Sequence, residues 1–175
     1  MRRRVHLAPP PATDLLAIHV RDHLAVGAGG LALVRRAAGT AWTAADTETL
    51  TLLAEEIEDD LEALRRCAEV LDVRRSRVRE LAALAAERVG RLKLNGQLRG
   101  SSPLSPVVEL EGLLLGVTGK ASFWRVLAVS GVEHLLPADI DLGALEARAL
   151  EQRRELEQLH REAASRAVGV TEPAR

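Results

Sequence analysis

Tyrosine is missing from this 175-residue chain, and Trp42, Phe123 and Trp124 are its only aromatic residues. A core here must be filled by aliphatic side chains and alanine. Without aromatics the β-propensity is low, while the abundant Ala, Leu, Arg and Glu are strong helix formers. One cysteine, Cys67, excludes an internal disulfide and an all-cysteine zinc site. Proline is sparse once the Pro9-Pro10-Pro11 stretch is past, leaving long segments free of helix breakers. Charge of one sign is lacking too. A net charge of -1 gives no global attraction to nucleic acid or membrane. The basic start Met1–Arg4 is followed by no apolar run, so a signal peptide is not expected. No uninterrupted apolar stretch suggests a bilayer span, and the cytoplasm is the expected compartment.

What is present is helical spacing. Residues 1–12 read as a disordered, proline-marked tail, residues 13–168 as one helical domain, and 169–175 as a frayed end. Helices are predicted over about 14–38, 44–71, 77–94, 106–130 and 142–168. The first is capped by Thr13 or Asp14 and followed by Gly39 as its C′ glycine. The second is capped by Thr43 or Asp46. The fourth has Ser105 as cap and Pro106 at its first position. Apolar seams recur every three and four residues. They run Leu16, Val20, His23, Gly27, Gly30, Val34, then Leu50, Leu53, Ala54, Ile57, Leu61, Leu64, Ala68, Leu71. The last helix continues the pattern with Leu142, Leu145, Ala149, Gln152, Leu156, Leu159, Ala163 and Ala167. The fourth helix is apolar on two sides. Leu110, Leu113, Leu114, Val117, Ala121, Trp124 and Ala128 mark one. Gly112, Gly116, Gly119 and Phe123 mark the other.

Two hairpins of long helices separated by some thirty residues give an all-α, ferritin-like four-helix bundle with a long, partly helical crossover. An up-down bundle of five helices is the alternative, with 77–94 joining the bundle. The segments RDHLAVGAGGLAL (21–33), GRLKLNG (90–96), SPLSPVVELEGLLLGVTGK (102–120) and FWRVL (123–127) resemble a group of uncharacterised bacterial proteins of the ferritin-like superfamily. The resemblance implies the fold and brings no activity.

A di-iron bundle needs glutamates on two helices and Glu-x-x-His on the other two. Here only Glu157-x-x-His160 has that pattern, and the first helix has no glutamate. Counting levels along the helices instead suggests a mid-bundle polar layer of His23, Glu56, Asp60, Lys120 and Gln152. An ammonium there satisfies a carboxylate and repels a cation. Each of these residues also has a plainer role, as a satisfied core histidine, a side chain reaching solvent, or a break in a seam. The alternative is a metal site for iron, zinc or manganese, drawing on His19, His23, Asp60, Glu157 and His160. His19 and His23 have chelating spacing on one helix.

Gly27 and Gly30 are expected to let the first two helices approach near Ala54 and Leu50. Gly112, Gly116, Gly119 and Phe123 are expected to face away from the bundle, toward the crossover or a second copy in a homodimer. The basic stretch 74–99, with Arg74, Arg75, Arg77, Arg91 and Lys93, is an alternative anion site. It lacks interleaved aromatics, so nucleic acid is not expected as its partner. Cys67 reads as packing. The overall expectation is an intracellular, non-catalytic protein acting by protein interaction or self-association. A ferritin-like metal-binding or redox protein is the first alternative, and an anion or nucleic-acid binder the second.

Overall fold

The structure is a computed structural model that describes residues 12–41, 43–71, 73, 102 and 104–169. The expected tail, the 77–94 helix and the basic anion set lie outside these residues, as do most of the crossover and of the frayed end. The described residues form four long α-helices and no strand: α1 (Ala12–Gly39), α2 (Ala44–Val70), α3 (Ser105–Val129) and α4 (Leu142–Val168). A short 3-10 turn, Glu133–Leu135, lies between α3 and α4. Each helix is about 40 Å long at 1.5 Å per residue.

The helix ends follow local chemistry. The Thr43 hydroxyl accepts the Asp46 N–H at 3.0 Å and caps α2. The Asp141 carboxylate accepts the Ala144 N–H at 2.9 Å and caps α4. Asp46 does not cap. Its side chain is buried and meets Arg166 at 2.8 Å. Helix α1 is already under way at Ala12, so neither Thr13 nor Asp14 is its cap. Leu104, not Ser105, holds the N-cap position of α3, and Pro106 sits one place deeper in the first turn. Gly39 is helical and closes α1. Among the described glycines only Gly131, just past α3, takes a positive φ, of 73°.

Paired contacts define the topology. Arg35 meets Glu58 across α1 and α2. Arg36 meets Glu109 at 3.0 Å near one end of α1 and α3, while His19 meets Phe123 near the other. Asp46–Arg166 and Arg66–Asp139 mark the two ends of the α2 and α4 packing. Arg125–Glu146 and His160–Glu111 do the same for α3 and α4. Every neighbouring pair is therefore antiparallel, and the diagonal pair α2 and α3 is parallel. Helix α2 ends and α3 begins at opposite ends of the bundle. The connection from Val73 to Ser102 joins those two ends, the path expected of two hairpins and a long connection.

The seams foreseen for α2 and α4 are buried almost residue for residue. The α1 seam is more open. Val20 and Val34 are buried, but Leu16, His23, Gly27 and Gly30 are only half-buried. The axial offset of the first hairpin also differs from the count through its link. Gly27 lies against Leu61, about two turns beyond Ala54, because the Leu61 side chain seats where Gly27 has no Cβ. Packing, not link length, sets the offset. Truncating the fully buried Leu156 to Ala is expected to cost about 3 kcal/mol. Leu52→Ala, at a side chain 56% exposed, should stay within about 0.5 kcal/mol in the same urea titration.

Candidate functional site, a buried ion-pair network

Asp60 sits in the middle of α2 with 1% of its surface exposed. A buried carboxylate is strongly disfavoured unless it is paired and hydrogen-bonded. Three other helix positions supply the partners. Lys120 of α3 donates from Nζ to Asp60 Oδ2. Arg148 of α4 donates from Nε to Oδ1 at 2.8 Å, and from Nη2 to the same oxygen. Gln152, one turn on from Arg148, accepts from Lys120 through Oε1. Its Nε2 donates to Glu56 Oε2 at 2.9 Å and approaches Asp60 Oδ2 at 3.4 Å. Formal charges balance over Glu56, Asp60, Lys120 and Arg148.

Of the foreseen polar layer, the structure brings Glu56, Asp60, Lys120 and Gln152 together and leaves His23 out. His23 lies beside Gly119 at the level of Lys120, but its ring is taken up by aromatic neighbours. The His23 ring stacks against Phe123, with centroids 4.5 Å apart, and edge-on against His19 at 4.7 Å. Burial, helped by His19 and opposed by Asp22, holds the His23 imidazole down at about 4. Burial also lowers the Lys120 amine below the usual lysine value, against the pull of Asp60. Arg148 was not foreseen. Its place four residues before Gln152, on the same face of α4, is the signal that could have found it.

The alternative metal ligands are dispersed. His19 and His23 stack with Phe123, Asp60 is held by the two cations, Glu157 pairs with Arg153, and His160 faces Glu111 at 3.4 Å. Among the described residues no three His, Cys, Asp or Glu side chains are gathered to hold a metal ion. The glycine face is also placed differently. A Cβ on Gly112 would come within 3.2 Å of Leu33, and one on Gly119 within 3.9 Å of His23. That side of α3 packs on α1 within the chain, and Phe123 is buried with it. Cys67 is fully buried, and burial pushes its thiol up to about 11, which removes it as a nucleophile at neutral pH.

No family model, curated protein or solved structure matches this chain. The geometry therefore stands alone. Both oxygens of Asp60 are engaged, and its two cations come from different helices. The arrangement fixes α2, α3 and α4 in one register.

Two measurements follow from this geometry. Asp60→Ala leaves two cations without their carboxylate and should cost about 3–5 kcal/mol in urea unfolding. The triple replacement Asp60→Leu, Lys120→Met, Arg148→Met should recover most of that loss. For His23, the unfolded chain takes up a proton near 6.5 that the folded chain refuses until about 4. Stability therefore falls as pH drops through that window, and below it the loss from this group is complete and changes no further with pH. In unfolding titrations at pH 7 and pH 4.5, His23→Gln should lose less stability between the two than the parent chain.

Proposed function

We propose that this chain is a non-catalytic, cytoplasmic helical-bundle protein of ferritin-like type that acts by self-association, with α3 as its contact helix. The reading rests on the outward strip of α3. Leu104, Val108, Glu111, Leu115, Thr118, Ser122, Val126 and Val129 follow one another at three- and four-residue steps. Leu115 and Val129 are 77% and 79% exposed. Its one charged member, Glu111, is met by His160 of α4, and the flanking Arg125 is bonded to Glu146. Exposed, uncharged leucine and valine along one helix are the composition of a contact surface rather than a solvated one.

The strip also complements itself. In an antiparallel two-fold pairing of α3 with a second copy, Leu104 falls opposite Val129 and Val108 opposite Val126. Leu115 falls near the symmetry axis, opposite Thr118. That is the requirement for an isologous dimer. Helix α3 is long and apolar enough, by length and composition, to cross a membrane, which the uninterrupted-run criterion passes over. Lys120 in its middle is tied to Asp60 and Gln152 of the neighbouring helices, as befits a bundle helix with one apolar face left for a partner.

Sedimentation equilibrium tests the proposal. The full chain should sediment as a dimer at micromolar concentration. Leu115→Glu should be monomeric and keep its melting temperature within a few degrees, because the replaced side chain is exposed. A parent chain that stays monomeric throughout would remove the proposal.

A further inference from the structure

Glycine is a poor residue for a helix interior, and its use there is normally explained by a neighbour pressing against the backbone. That explanation holds for Gly27 and Gly112, which meet Leu61 and Leu33. It does not hold for Gly30 and Gly116. A Cβ at either would find no atom within 4 Å, so alanine fits both positions. Both glycines line one cavity of about 60 Å³ between α1, α2 and α3. Its wall is almost wholly apolar, and the half-exposed Val26 stands among its lining residues, at the rim. Trp124 also lines it. That side chain is 1% exposed, and its indole N–H has no acceptor among the described residues.

We infer that this cavity is a binding site for a small, neutral, largely apolar molecule carrying one hydrogen-bond-accepting oxygen, a short-chain ketone being the simplest case. Space kept by two glycines that packing does not require receives the aliphatic part. The Trp124 N–H supplies the donor for the oxygen. Neutrality follows from the polar groups at the wall. Lys120 and Asp60 are there, but the two cations of the network, Lys120 and Arg148, are both bonded to Asp60 and balanced in charge by Asp60 together with Glu56. His23 is uncharged at neutral pH. A carboxylate ligand would thus meet Asp60 with no cation left to receive it. The volume, about that of two waters, takes the carbonyl group and the carbon beside it, and the rest of the chain leaves past Val26.

The test is a titration of the full chain, in a Trp42→Phe background so that one indole remains, followed by the indole N–H resonance of Trp124. 2-Butanone should shift that resonance saturably, with a dissociation constant in the millimolar range or tighter. Butyrate, of similar length, should not. Gly116→Val fills the cavity and should weaken the ketone at least tenfold, with Gly30→Ala as a milder second variant expected to do the same in lesser degree. The inference is overturned by an unmoved resonance with 2-butanone, by butyrate binding as well as the ketone, or by ketone binding that survives both glycine replacements unchanged.

Discussion

The fold depends on how one buried carboxylate is satisfied. Asp60 lies at the centre of α2 with both oxygens engaged, by Lys120 from α3 and by Arg148 from α4. Each cation arrives from a different helix, so sliding any of the three by a residue strands a charge in the interior. The hydrophobic seams alone do not provide that precision, since aliphatic stripes tolerate shifts at modest cost. A balanced buried network contributes little net stability, and its value lies in penalising the wrong registers. Asp46 with Arg166 repeats the device at one end of the same helix pair, again with the carboxylate buried.

This arrangement divides the bundle into two unlike sides. Helices α2 and α4 are spanned by long polar side chains, Arg148, Gln152 and Arg166, which hold their backbones apart. Helices α1 and α3 meet through glycines and small residues, with Gly112 against Leu33 and Gly119 against His23. Each interior glycine costs about 1 kcal/mol of helix propensity relative to alanine. Close packing offsets that cost at Gly27 and Gly112, and the polar side has no comparable need. The two sides differ because desolvated charge demands reach, whereas dry packing demands proximity.

Much of this was legible in the sequence. The α2 and α4 seams could be read because both helices carry one clear apolar stripe, and a three-and-four spacing of Leu, Ile and Ala fixes the face. Asp60, Lys120 and Gln152 could be grouped by counting levels, because α4 has a single polar break in its seam. His23 reaches the level of Lys120 but stays outside the hydrogen-bonded group because its ring packs on Phe123 and His19, whereas the partner of Gly27 was misplaced for a different reason. The link between α1 and α2 fixes how many residues intervene, not how far one helix slides along the other, and the seat of Leu61 on Gly27 decides that. Arg148 escaped because arginine on a charge-rich helix ordinarily faces water, and only the position of Asp60 shows that this one turns inward. The glycines of α3 were rightly separated from its leucine face. Periodicity could not tell whether their neighbour was α1 or a second molecule, because both fill the same angular sector.

Helix α3 shows why a weakly amphipathic sequence can still be specific. Its residues serve three partners in rotation around the axis. Leu110, Leu113, Val117 and Ala121 enter the core, Gly112, Gly119 and Phe123 meet α1, and Leu115 and Val129 remain outside. A helix with three apolar sectors has no polar face to orient it, and hydrophobic burial by itself would accept several rotations about its axis. Lys120 removes that freedom. Rotating α3 to bury Leu115 would carry the ammonium away from Asp60 and leave the carboxylate with Arg148 and Gln152 alone. The outward apolar strip can therefore persist in the folded monomer because the buried ion pair prevents the helix from turning it inward.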